Sequence, residues 1–214
     1  MAILRYWPEL LQGIWIATAL SILTFLLGTA FGIFGAIGRI SHRRWVYGIT
    51  TFYVELFRNT PLLVQMYITY YGLEAFSIEL SAFTAALLAM SLNSGAYETE
   101  IIRGGIIAVG KGQIEAAFSV GMTYAQTLRK VIIPYALQVI YPPLGNQIIG
   151  IILGSSVASV ITVSEITYVG LNIGSRSYRD FETFLVIWAI YLGLNVILSA
   201  LFKICGRIAF RPIL

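Results

Sequence analysis

The chain has 214 residues, of which 58% are hydrophobic and only 11% charged. A soluble domain of this size carries about 25% charged residues, so the composition excludes an ordinary soluble protein and points to an all-α integral membrane protein. The net charge of +4 reads as a basic rim at the membrane face rather than as a nucleic-acid surface, and the single Cys205 excludes an internal disulfide.

Taken in chain order, the first expected span covers 12–38, charge-free from Gln12 to Ile37. Its apolar run is too long for a cleaved signal peptide, and neither a basic leader beyond Arg5 nor a small-x-small site accompanies it. Gly28, Gly32 and Gly35 share one face, which suits close helix approach, either within the chain or between subunits. The second span, 46–73, opens with Trp45, Tyr47, Phe52, Tyr53 and Phe57 around Glu55 and Arg58. These two charges are three apart and placed to neutralise each other. Pro61 removes a backbone donor and disfavours helix at Thr60, so a kink or break is expected there.

The third span, 80–102, carries a polar stripe of Asn93, Tyr97 and Glu100 at i, i+4 and i+7. Such a stripe avoids lipid; it either lines a substrate pathway or serves interhelical hydrogen bonding. A polar island, 104–130, follows. Helix formers around Glu115-Ala116-Ala117 and again over Tyr124–Lys130, separated by Gly121, predict two short helices joined at a turn. Pro134 suits the first turns of the next span.

The fourth span, 131–160, belongs to an apolar stretch of about 34 residues. As a straight helix this would measure about 50 Å against a hydrocarbon core of about 30 Å. It must bend, tilt or break, with Pro142, Pro143, Gly150 and Gly154 as candidate positions. Ser155 and Ser156 offer hydroxyls to a path at this depth, and Glu165 opens a polar segment that runs to Glu182. The fifth span is 183–203. Five spans put the termini on opposite sides. Ten basic residues (Arg39, Arg43, Arg44, Arg103, Lys111, Arg129, Lys130, Lys203, Arg207, Arg211) lie on one face against three (Arg5, Arg176, Arg179) on the other, leaving Arg58 aside. The positive-inside rule therefore sets the N-terminus outside, the C-terminus inside and the polar island in the cytoplasm.

The island reads Glu115-Ala116-Ala117, three residues, Gly121, nine residues, then Val131-Ile132-Ile133-Pro134. This layout resembles the EAA loop of ATP-binding-cassette importer permeases. The runs Arg58-Asn59-Thr60-Pro61-Leu62-Leu63-Val64-Gln65 and Leu92 through Ile106 are similar to permeases of the polar amino acid uptake family. The resemblance extends from Thr18 to Leu201. It implies that Glu115, Ala116, Ala117, Gly121 and Pro134 form the surface that couples to a separate ATPase. Ala116 and Ala117 would leave a narrow helix for a groove, and Glu115 a charge for an arginine or helix N-terminus. By polarity and depth, Asn93, Tyr97, Ser155, Ser156 and Glu165 are the candidates for the solute path.

No G-x-x-x-x-G-K-[ST] phosphate loop occurs in the chain. The expectation is a subunit with no cofactor of its own and no metal site, in a bacterial cytoplasmic (inner) membrane. Its expected partners are an ATPase dimer holding ATP and Mg, a second permease subunit (identical or related), an extracytoplasmic amino acid-binding protein, and membrane lipid. One departure is visible. Where the family often has K-D-T-S-L-V-S-V-I, this chain has Leu153-Gly154-Ser155-Ser156-Val157-Ala158-Ser159-Val160-Ile161. Either the substrate is neutral or recognition rests with the neighbouring subunit. A Gly154-Ser155-Ser156 nucleophile is the enzyme alternative, but the only histidine, His42, lies in the first loop. A passive channel is the other, and it leaves the EAA loop without a role.

Overall fold

Helix α1, Trp7–Arg39, accommodates Pro8 in its first turn, where the missing N–H costs nothing. Its buried face is a ladder of small residues: Gly13, Ala17, Ser21, Thr24, Gly28, Gly32 and Gly35. Leu10 and Leu20 are buried too, but most of its large apolar residues, among them Leu26 and Phe34, are exposed. That inversion suits a lipid-facing helix, because in hydrocarbon the gain comes from backbone approach and not from hiding leucine. The computed structural model describes residues 3–210. Arg211, the last of the ten cations counted on the basic face, lies outside them.

Helix α2, Arg44–Arg58, buries only Val54. The chain then leaves the helix at Asn59, and Pro61 takes an extended backbone (φ −65°, ψ 136°) before α3, Leu62–Tyr67, and a π-helical turn, Ile68–Gly72. The second span is thus two short pieces and not one kinked rod. Helix α4, Ala82–Ile107, starts from a Ser81 cap whose Oγ accepts from the Thr84 N–H at 3.2 Å. It lies along the small-residue ladder of α1, with Gly28 facing Ser94 and Glu98, Gly32 facing Glu98, and Gly35 facing Thr99. The three glycines therefore serve packing within the chain.

Two short helices follow, α5 (Lys111–Ser119) and α6 (Tyr124–Thr127). A π-helical turn over Leu128–Ile132 joins α6 to α7, Ile133–Gly154, and a 3-10 turn over Ser155–Ile161 extends it. Tyr124–Ile161 forms one helical stretch of 38 residues, so the fourth span begins inside the segment 104–130. Helix α7 runs through Pro142 and Pro143 without interruption, contrary to the break expected there. The prolines forfeit two i→i−4 bonds, but leaving the helix inside hydrocarbon would orphan more backbone groups. The change of geometry falls at Gly154 instead, and the chain turns at Thr162 with a left-handed φ of 67°.

Helix α8, Ile166–Ser177, then packs across α1 and against the final helix α9, Asp180–Ala209. Among the described residues, three stretches are long and apolar enough to cross a bilayer: Trp7–Arg39, Tyr124–Ile161 and Asp180–Ala209. Helix α4 has the length, 26 residues, but carries Glu98, Glu100 and Arg103. Helix α9 buries only Thr183 and Ile187, leaving Trp188, Leu192 and Val196 exposed along its length.

Candidate functional site

The segment between α4 and α7 is held stiffly at every joint. Val109, just past α4, is buried with Ile132 and Ala136, and Ile114 of α5 packs against that cluster. Ala117 is the buried residue of α5, while Glu115 and Ala116 face outward. Helix α5 ends in a paired cap. The Met122 N–H donates to the Ala117 carbonyl (3.1 Å) and the Gly121 N–H to the Phe118 carbonyl (2.9 Å), with Gly121 at φ +81°. This is the Schellman arrangement, and it needs the left-handed residue that glycine supplies without strain. Two residues later Thr123 caps α6. Its Oγ1 accepts from the Gln126 N–H (3.3 Å), and the Gln126 Oε1 accepts from the Thr123 N–H (2.9 Å). The turn is therefore fixed from both sides, and it presents Phe118, Val120 and Tyr124, which are 46%, 73% and 68% exposed. Pro134 stands in the first turn of α7, immediately after the π-helical turn.

At the same end, Glu100 ties three helices together. It accepts from Arg39 Nε of α1 at 3.0 Å and from Arg103 Nη2 at 2.7 Å, and Arg39 Nη1 donates to Thr51 Oγ1 of α2 at 2.6 Å. Glu100 is thereby an ion-pair hub. The expected pairing of Glu55 with Arg58 does not form. Glu55 accepts from Asn59 Nδ2 (2.7 Å), and the Arg58 guanidinium lies over the Tyr97 ring.

In mid-bundle, polar side chains converge where α2 is interrupted. Gln65 Nε2 donates to the Phe57 carbonyl (2.9 Å), the Thr60 carbonyl (3.0 Å) and Thr60 Oγ1 (2.7 Å). Asn93 Nδ2 donates to the same Phe57 carbonyl and to Gln65 Oε1, both at 3.0 Å. The break strands carbonyls that the absent helix would have used, and these two amides satisfy them. Beside them lies a cavity of about 50 Å³ lined by Thr24, Asn93, Ser94, Gln147, Gly150 and Gly154, with no charged residue on its wall. It is far below the roughly 300–1,000 Å³ of an ordinary small-molecule pocket. Gly150 has open space before it and Gly154 only a side-chain contact, so this GxxxG pair makes no close helix contact within the chain.

The five candidate path residues are not gathered in one place. Asn93 alone lines the cavity, while also bracing the break. Tyr97 is 37% exposed, beside Arg58. Ser155 and Ser156 donate back to the carbonyls of Ile152 (2.7 Å) and Leu153 (2.6 Å), consistent with the tightening of the helix to 3-10 geometry. Among the described residues, neither has a basic hydrogen-bond partner of the kind a nucleophile needs. Glu165 is fully buried and caps α8. It accepts from the Tyr168 N–H at 2.8 Å and from the Tyr191 hydroxyl of α9 at 2.8 Å. It is an internal tie, not an exposed loop acid.

One buried acid stands outside every candidate set named above. Glu98 is fully buried against α1, accepting from Thr29 Oγ1 (2.6 Å) and Ser94 Oγ (2.8 Å), and Gln147 Nε2 donates to that same Ser94 oxygen (3.2 Å). The signal that could have found it is the run of glycines at Gly28 and Gly32, which makes room for it.

Comparison with known proteins bears on these features. The family described as "Binding-protein-dependent transport system inner membrane component" matches residues 28–207. The chain belongs to that family. Among curated members, it is 40% identical to the L-cystine transport system permease protein TcyB of Bacillus subtilis (strain 168) over 200 residues, 90% of this chain and 84% of that protein. It is 41% identical to the octopine transport system permease protein OccM of Rhizobium radiobacter over 206 residues, 91% of this chain and 83% of that protein. The crystal structure of an amino acid ABC transporter with histidines superposes with a TM-score of 0.91 at 39% identity, covering 96% of each chain. The all-helical fold is thus that of an importer permease, and a transport component of a membrane is the family's role.

Proposed function

We propose that the chain is the membrane-spanning subunit of an ATP-driven importer of polar amino acids, working in a bacterial inner membrane. The observation that carries this reading is the braced turn around Gly121. It offers Phe118, Val120 and Tyr124 to a partner while Ala117, Ile114 and Val109 clamp it to the base of the Tyr124–Ile161 rod. A solvated loop would have no reason to keep two interlocking caps and three exposed apolar side chains. An ATPase dimer holding ATP and Mg would grip this projection, with Glu115 and Ala116 on its outward face. Its closure would swing the rod. A second permease subunit would supply the other wall of the path. A loaded binding protein would deliver solute at the opposite end, and alternating access would follow. In this reading the N-terminus is outside, the C-terminus inside, and 104–130 cytoplasmic.

The relatives are named for L-cystine and octopine, both amino acid derivatives. Where the family often carries a charged pair this chain has Leu153 and Gly154, so either the cargo is neutral or its recognition rests with the neighbouring subunit. Proteoliposomes with the purified transporter, its ATPase and its binding protein test the proposal. ATPase activity should rise with binding protein plus amino acid and stay at baseline with either alone. Solute flux without any nucleotide-binding subunit would sink it.

A further inference from the structure

Thr24 of α1 is fully buried, and its hydroxyl has no hydrogen-bond partner among the described residues. An orphaned hydroxyl inside a bundle is costly unless something fills the space before it. That space is the cavity of about 50 Å³ between α1, α4 and α7, whose wall Thr24 shares with Asn93, Ser94 and Gln147. The wall offers acceptors and few protons. Both amide hydrogens of Asn93 are committed, to the Phe57 carbonyl and to Gln65 Oε1. The Ser94 hydroxyl gives its proton to Glu98 Oε1 (2.8 Å), and Gln147 Nε2 gives one to the Ser94 oxygen (3.2 Å). Only the Thr24 proton and the second Gln147 amide proton are left. The amide oxygens of Asn93 and Gln147 accept nothing among the described residues. Behind Ser94 stands Glu98, fully buried, whose two oxygens receive the Ser94 and Thr29 hydroxyls while no cation among the described residues pairs with it. A carboxylate so placed favours a positive charge nearby.

We propose that this cavity receives the primary ammonium head of an α-amino acid cargo. Its volume admits a group the size of one or two water molecules, and an ammonium brings three donors to a wall of acceptors. The mouth is made by glycine. Gly150 and Gly154 lie on the wall, and Gly150 is exposed. A Cβ at Gly150 would meet nothing within 4 Å, and one at Gly154 only the Leu62 side chain, 3.6 Å away. The rest of the cargo therefore leaves the cavity over α7 without a side chain in its way. Every α-amino acid carries this head, so the subsite reads the class of cargo and leaves the side chain to other contacts. The amino acid part rests on the import reading, whereas the fit to a compact cation does not.

The test uses the complete transporter with its ATPase in detergent, methylammonium chloride as the probe and sodium chloride at equal ionic strength as the reference. Thermal unfolding reads occupancy. Methylammonium should raise the unfolding midpoint above the sodium reference, and the rise should saturate. Thr24→Val removes the orphaned hydroxyl at nearly constant shape. The empty variant should keep its midpoint, while its affinity for methylammonium falls about tenfold or more, the scale of a hydrogen bond to a charged group. Glu98→Gln should weaken the response as well. Ser91→Ala removes another buried, unpartnered hydroxyl that does not line the cavity, and it should keep the full response. No rise beyond sodium overturns the subsite, and so does an undiminished rise in Thr24→Val. A larger rise with sodium means a metal-ion site and overturns the ammonium. The same preparation, given binding protein and amino acid, is read for ATPase stimulation. Stimulation without a methylammonium response overturns the subsite and leaves the import reading standing. A methylammonium response in a transporter that no amino acid stimulates overturns the import reading and the cargo assignment with it, and the cation site alone survives.

Discussion

Gly32 of α1 sits directly against Glu98 of α4. A Cβ on the glycine would lie 2.8 Å from the Glu98 Cβ and 3.1 Å from its carbonyl carbon. The second contact is backbone and cannot rotate away. Gly32→Ala is therefore expected to push α1 and α4 apart and lower stability by about 1–3 kcal/mol, the usual penalty of overpacking. Thermal unfolding in detergent reads this. Gly48→Ala, which meets nothing within 4 Å, should leave the midpoint unchanged or raise it.

Gln65 serves the break before Pro61 with three donated hydrogen bonds and one accepted from Asn93. Gln65→Leu would strand the Thr60 carbonyl in an apolar setting and leave the Phe57 carbonyl to Asn93 alone, at about 1–3 kcal/mol for a lost partner of a buried group. The expected result is a lower unfolding midpoint and faster proteolytic nicking between Arg58 and Leu62. Unchanged nicking would mean that Asn93 alone braces the break.

Gly121→Val should leave membrane insertion intact while cutting stimulated ATPase activity and transport about tenfold, because a left-handed β-branched residue costs about 1–2 kcal/mol and tilts the exposed turn. Gly112, within α5, has open space before it and no positive φ. Gly112→Ala is expected to retain full activity, since alanine only favours the helix. Activity is read in proteoliposomes with the ATPase and binding protein present.

Arg39 and Glu100 should prove energetically coupled. Single substitutions Arg39→Leu and Glu100→Gln each unbalance a half-buried cluster, and the double variant should recover about 1 kcal/mol of their summed cost in a thermodynamic cycle. Additive losses in unfolding measurements would reduce the pair to a surface contact.

Much of this was legible in the residues. Gly121 is readable because a turn between two short helices asks for a left-handed residue, and Pro61 because a proline has no N–H of its own and disfavours helix at Thr60. Pro142 and Pro143 misled for the converse reason. The penalty that breaks a helix in water is outweighed in hydrocarbon by the worse cost of unpaired backbone. Glu165 misled because a polar segment between spans reads as solvated, whereas α8 folds back onto α1 and α9 and draws its cap inside. Glu98 stayed hidden because a single acid says nothing of what faces it, and Thr29, Ser94 and the glycines of α1 come together only through the α1–α4 seam. The absent Glu55–Arg58 pair shows that three-residue spacing permits a contact without choosing it, since Asn59 and Tyr97 compete for the same partners.

The unbroken passage of α7 through its two prolines has a mechanical consequence. From Tyr124 to Ile161 the chain is one helical stretch of 38 residues, and its C-terminal half passes the small uncharged cavity. Such a bar is about 57 Å long, so a pivot of roughly 5° at its base sweeps its tip by about 5 Å, close to one helical pitch. A joint at Pro142 would have absorbed that stroke. In the proposed coupling, a small rotation at one membrane face would become a displacement the size of a side chain at the other.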